Sequence, residues 1–117
     1  MPGLGARAAA LKLLDAILRR GEPMDAIASN ATRLLSPPDR ALAVAITAET
    51  CRHLIDLDEL IDSATAQPLA PDVKARMVLR IALVQALVLG TPPHAAIATT
   101  LPLVAGGPRR LVHGVFG

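Results

Sequence analysis

From Ile81 to Leu89 the chain is apolar at every position except Gln85, and that run limits the fold more than any other feature. A helix that is hydrophobic on all sides belongs in the middle of a bundle or in a membrane. Counted from Met77, the run carries Arg80 and Gln85 and falls short of the roughly 20 residues a bilayer needs. Gly90 is a natural residue to close it, and Thr91-Pro92-Pro93 then prepares the start of another helix. Met77–His94 is therefore read as the central helix of a soluble all-α domain and the corner that leaves it.

The rest of the chain supplies helices to surround it. Gly5 to Arg20 carries Leu11, Leu14, Ile17 and Leu18 at helical spacing, with Lys12, Asp15 and Arg19 opposite. Asp15 precedes Arg19 by one turn, the favourable order for an ion pair. After Gly21-Glu22-Pro23, a shorter helix from about Met24 to Leu35 presents Ile27, Ala31 and Leu34 on one side. Ser36-Pro37-Pro38-Asp39 is the clearest helix start. Ser36 can cap, Pro37 suits the first turn, and Asp39 sits where a capping-box acid reaches back. The helix it opens runs to about His53, with an apolar stripe of Ala41, Val44, Ala48, Cys51 and Ile55 widened by Leu42 and Ile46. Its polar stripe, Glu49, Arg52, Asp56 and Glu59, is spaced for a ladder of ion pairs. The pattern permits either continuation to Ala66 or a break near Asp56.

Residues 67–71 read as a linker, and Pro71 and Asp72 suit the first turn of the central helix. A fifth helix starts at His94 and heads for Val104, but Pro102 must kink or end it early. Gly106-Gly107-Pro108 is a further break. The last segment, Arg109 to Gly117, has Leu111, Val112, Val115 and Phe116 on a helical face and stops in mid-pattern, as expected of a piece of a longer protein. The whole chain, 1–117, is read as one domain of about six helices. Its length suffices for a single core, and Phe116 is the only aromatic among 52% apolar residues, so a strand-rich fold is not expected. A lone cysteine excludes an internal disulfide framework and suits a reducing cytosol. The charged residues in the N-terminal stripe exclude a secretory signal, so a cytoplasmic protein with no membrane partner is expected.

Net charge is only +2, yet its distribution is uneven. Asp56 to Asp72 contains five acids and no base; Val73 to Gly117 contains five bases, Lys74, Arg76, Arg80, Arg109 and Arg110, and no acid. Ten of the twelve basic residues are Arg, the side chain that forks onto phosphates and carboxylates. This points to a polyanion, set against the ordinary alternative of a solvated face. With no Trp or Tyr, stacking on bases is almost excluded, so RNA would be held through phosphates or shape with salt-sensitive affinity.

No stretch forms a self-contained active site. Gly3-Leu4-Gly5-Ala6-Arg7-Ala8 matches a dinucleotide-binding pattern in letters, but that chemistry needs a preceding strand, and only two residues precede Gly3. Cys51 and His53 are two apart on a helix and point to different sides, so one metal ion cannot take both. Cys51 falls on the apolar stripe and reads as a buried thiol. His53 and His113 have no local acid or thiol partner that makes a dyad, and His94, in the first turn of a helix after Pro93, reads as capping or packing. Gln85 is expected to be buried with its amide bonded to a neighbouring helix terminus. Arg52 and Arg80 either snorkel or pair with an acid such as Glu49, Asp56 or Asp62, and are read with Gln85 as structural polar groups. No catalytic residue, metal or cofactor is assigned to this chain.

Several short runs occur together: Ala6-Arg7-x-x-Ala10, Asp39-Arg40-Ala41-Leu42-Ala43, Thr50-Cys51-Arg52-His53, Leu79-Arg80-Ile81-Ala82-Leu83-x-Gln85, Thr91-Pro92-Pro93-His94-Ala95-Ala96 and Leu111-Val112-x-x-Val115. Together they resemble a NusB-like domain. More specifically, they resemble the domain at the N-terminus of the bacterial small-subunit rRNA cytosine-5 methyltransferases (the RsmB, Sun or Fmu family). The resemblance covers essentially the whole chain. It implies an all-helical, RNA-binding accessory domain placed before a methyltransferase domain that carries the S-adenosylmethionine site and the catalytic cysteines. Cys51 matches no catalytic position of that family. The chain departs from the pattern at Pro102, where the family continues its helix with an acid. It departs again at Val112-His113-Gly114-Val115-Phe116-Gly117, where the family favours Val-Asn-Ala-Val-Leu-Arg. The residues expected to meet RNA phosphate are Arg7, Lys74, Arg76, Arg109 and Arg110. The alternatives are a free-standing antitermination factor of the NusB type, or a structural domain that packs on the methyltransferase domain without touching RNA. The second alternative implies an exposed apolar patch.

Overall fold

A computed structural model of the chain describes residues 4–64 and 74–103. Among them are six α-helices and no strand: α1 (Leu4–Arg20), α2 (Met24–Thr32), α3 (Pro37–Arg52), α4 (Leu54–Ala64), α5 (Lys74–Leu87) and α6 (Pro93–Thr100), followed by a 3₁₀ turn at Leu101–Leu103. None of the described helices is long and apolar enough to cross a membrane. The linker at 67–71, Pro71, Asp72 and the segment from Arg109 onward lie outside the described residues.

The central helix is α5. Every residue from Ala75 to Gln85 is buried, and α1, α3, α4 and α6 all pack against it. The buried stretch is displaced toward the N-terminus from the expected one. Leu87 and Val88 are exposed, whereas Arg76 and Arg80 lie inside. Two arginines can enter a core only if their charge is met there, and acids of α4 meet it. The main core joins Leu14 of α1, Ile46 of α3, Leu57 and Ile61 of α4, and Met77 to Val84 of α5. A smaller cluster of Ala6, Ala9 and Ala43 lets α1 and α3 approach closely, because alanines hold no bulk between the backbones.

Helix ends follow their local chemistry. Ser36 caps α3, its hydroxyl accepting from the Asp39 amide at 3.3 Å, with prolines in the first turn. Gly21 and Gly90 take positive φ, 68° and 76°, at the ends of α1 and α5. That left-handed turn brings the Glu22 amide to the Ala16 carbonyl (3.1 Å) and the Thr91 amide to the Gln85 carbonyl (2.8 Å). Pro102 ends α6 as expected, the helix giving way to a 3₁₀ turn after Thr100.

Two expected stripes are corrected. In α3 the buried face is Ala43, Ile46, Thr47 and Thr50, while Ala41 is exposed and Val44, Ala48 and Cys51 are only half-buried. The threonines can be buried because their hydroxyls donate to the Ala43 and Ile46 carbonyls one turn back, at 2.8 and 2.7 Å. The chain breaks at His53, so Ile55 belongs to α4 and is 75% exposed. In α2 the helix ends at Thr32, which is buried, and Leu34 is 90% exposed. The ion-pair ladder stops at the same break. Glu49 meets Arg52 at 3.4 Å and His53 at 3.3 Å, and no described pair carries it on to Asp56 or Glu59.

Candidate nucleic-acid interface

The residues expected to meet phosphate separate into two groups. Lys74, at the start of α5, is exposed, and Arg109 and Arg110 lie outside the described residues. Arg7 and Arg76 are buried and already engaged. As placed, these two serve the interior, and the phosphate role expected of them does not fit their surroundings.

Arg7 points from α1 into the core, where its Nε donates to Gln85 Oε1 at 2.8 Å. Burial pulls the Arg7 guanidinium below the usual arginine range, and the charge of Asp39 partly offsets this. The Gln85 amide nitrogen donates in turn to the Ile81 carbonyl (3.1 Å) and to Thr100 Oγ1 (3.3 Å), and the Thr100 hydroxyl donates to the Ala96 carbonyl. One buried amide thus ties α1, α5 and α6 together. Its expected structural role has a clear geometry, including the helix-terminus partner on α6.

Arg76 and Arg80, one turn apart on α5, face Asp58 and Asp62, one turn apart on α4. Arg80 grips Asp58 with two bonds, Nε at 2.8 Å and Nη2 at 3.0 Å, and its Nη1 touches Met77 Sδ at 3.3 Å. Arg76 donates to Asp62 at 2.6 Å and to Asp58 at 3.3 Å. Burial alone would lower the Arg76 guanidinium, but the hydrogen bonds and charges of Asp62 and Asp58 outweigh it and hold it above the ordinary arginine value. Asp58 was absent from the expected partners, although matched four-residue spacings of acids and arginines on successive helices were legible. Arg52 is largely exposed and meets only Glu49 among the described acids, so it organises no core. Cys51 is half-buried, and burial raises its thiol pKa against the lowering effect of Arg80. His94 is exposed at the start of α6. Among the described residues no group of three or more His, Cys, Asp or Glu side chains is placed to hold a metal.

The exposed cations gather elsewhere. A groove of about 560 Å³ between α1 and α2 is bordered by Lys12, Arg20 and Arg33, none of them anticipated as site residues. A smaller groove of about 260 Å³ adjoins it, sharing Lys12 and Asp15, and places Lys12 and Arg19 beside Lys74. Asp15 lines both grooves and is paired with Arg19 at 3.1 Å. This stretch of α1 carries more cations than acids, and Lys12, Arg19 and Arg20 are exposed.

Residues 4–107 match the profile of the NusB family. No curated protein matches the chain. Among solved structures, a chain in one described as "Crystal Structure of a Plectonemic RNA Supercoil" superposes with a TM-score of 0.81 at 18% identity, covering 100% of this chain and 91% of that one. The superposition shows a shared fold.

Proposed function

The chain belongs to the NusB family, and from that premise we propose that it is an RNA-binding accessory domain. In this reading it positions small-subunit rRNA for an S-adenosylmethionine-dependent cytosine-5 methyltransferase domain of the same protein. The family match over residues 4–107 carries the RNA-binding reading. The methyltransferase context rests on the motif resemblance described above. The RNA supercoil named for the structural neighbour accords with an RNA partner, and so does the exposed Lys74 with Arg19 beside it. The cofactor and the chemistry would belong to the catalytic domain. This chain's part is to hold a polyanion through point charges, with Lys74, Arg109 and Arg110 as the proposed phosphate contacts.

Binding to a small-subunit rRNA fragment across a salt series tests this. The expected result is affinity that falls steeply with salt, with a log–log slope of about 0.7 per phosphate contacted on a single strand. No binding at low salt, or no change when Arg109 and Arg110 are both neutralised, overturns the role in this form. A free-standing antitermination factor draws on the same family match. The genomic reading frame separates the two, since a downstream methyltransferase domain favours the first and a stop codon after Gly117 the second. The structural-domain alternative draws on the exposure of Leu34, Ile55 and Leu87. It would be favoured by salt-insensitive binding to the separately expressed catalytic domain.

A further inference from the structure

Ile27 and Ala31 of α2, and Leu34 just past its end, are apolar positions that the core does not consume. Ile27 and Ala31 are half-buried, Leu34 is 90% exposed, and all three line the groove between α1 and α2. Lys12, Arg20 and Arg33 border the same groove. Lys12 and Arg33 have no acid partner among the described residues, and Arg20 meets only the partly exposed Glu22, at 3.3 Å. The one carboxylate in the lining, Asp15, is held by Arg19.

We propose that this groove docks an amphipathic helix of a partner protein, one whose apolar stripe is flanked by Asp or Glu. The floor is Ile27 and Ala31, one turn apart on α2, extended by Leu34 in the turn that follows, an apolar strip against which the ridge of another helix can pack. An exposed leucine beside a half-buried isoleucine gives such a helix apolar area to cover. The unpaired cations at the border then select acidic flanks and reject basic ones. RNA would use the cations but gain little from the floor, because none of the described residues lining the groove is aromatic and a base has no ring there to stack on. The occupant is a protein, and Lys74, the described residue proposed to contact RNA phosphate, does not line this groove.

The test uses the chain with a synthetic, fluorescein-labelled helical peptide that has leucines at i, i+3, i+4 and i+7 and glutamates on both flanks. A second peptide carries lysine in place of every glutamate. Fluorescence anisotropy should show saturable binding of the glutamate peptide and none of the lysine peptide at the same concentrations. Leu34→Ser should weaken binding about tenfold, since it removes an apolar side chain buried only in the complex. The double variant Lys12→Glu, Arg33→Glu should weaken it about as much and flatten its salt dependence. All three positions are exposed, and an unchanged far-UV spectrum confirms that each variant folds. Failure of the glutamate peptide to bind overturns the proposal, as does binding that ignores Leu34→Ser. So does a third result, in which an oligouridylate displaces the peptide and its own binding depends on Lys12 and Arg33 but not on Leu34. That outcome makes the groove a track for RNA.

Discussion

The Asp58 carboxylate faces two guanidiniums at once, and it does so at the edge of the core, where water reaches it only in part. Removing it would leave Arg80 buried against Met77 without its two-pronged partner and strip one of two acids from Arg76. Breaking a buried pair from one side costs more than the pair contributes, because the remaining charge is stranded. Asp58→Ala should therefore destabilise the fold by about 3 kcal/mol, read as a lower urea midpoint. A loss under about 1 kcal/mol would mean that water or Asp62 takes over its role. Gln85 poses the same question for a neutral group. Gln85→Leu keeps the volume but removes the acceptor for Arg7 and the donor to Thr100, with an expected cost of about 2 kcal/mol by the same measurement. Cys51 offers a chemical readout. With its pKa raised by burial, the thiol holds its proton to higher pH than a free cysteine near about 8.5. An acid whose folded pKa is raised binds more protons when folded, so stability falls as pH climbs from the unfolded value up through the higher folded one. Alkylation by iodoacetamide at pH 8 to 9 should accordingly be slower in the native protein than in urea, and equal rates would sink that assignment.

At the scale of the helices, the ends were the most legible part of the sequence and the buried faces the least. Caps and breaks are written in a few adjacent residues: Ser36 with its prolines, Gly21, Gly90 and Pro102 each act where they stand. Faces depend on what arrives from elsewhere in the chain. Reading α3 by hydrophobicity places Ala41 and Ile55 inward, yet the bundle buries Thr47 and Thr50, whose hydroxyls their own helix can satisfy. Reading α5 by hydrophobicity places Leu87 inward and leaves Arg76 at a phosphate, because the acids that admit an arginine to the core lie on another helix. Ile27 and Ala31 on α2 are legible as apolar positions, but the early end of the helix before Leu34 and the open groove beside α1 are not. Two substitutions probe the helix ends. Ser36→Ala should cost about 1 kcal/mol and Gly90→Ala about 1–2 kcal/mol, the second because an alanine must adopt the left-handed turn. If Gly90→Ala is silent in thermal unfolding, the corner between α5 and α6 is softer than its geometry implies.

Over the whole molecule, charge that is segregated along the chain is partly recombined in space. Acids of the stretch from Asp56 fall on α4 and bases of the stretch after Val73 on α5, which lie side by side, so Asp58 and Asp62 engage Arg76 and Arg80. A basic run in sequence therefore overstates the charge presented to a polyanion, and Lys74 is its one cation that is both described and exposed. This separates two variants that composition alone treats as equivalent. Lys74→Gln should leave the urea midpoint unchanged within about 0.5 kcal/mol and reduce the salt slope of RNA binding by about 0.7, the share of one single-strand phosphate contact. Arg76→Gln should do the reverse. It gives up charge-assisted bonds to two carboxylates, at a cost of about 2 kcal/mol in stability, and leaves the salt slope of the folded protein as it was. Measured together on one RNA fragment, the pair distinguishes an arginine that builds the fold from a lysine that meets the ligand. A salt slope that drops with Arg76→Gln and not with Lys74→Gln would mean that α4 moves away from α5 when RNA binds, exchanging Asp58 and Asp62 for phosphate.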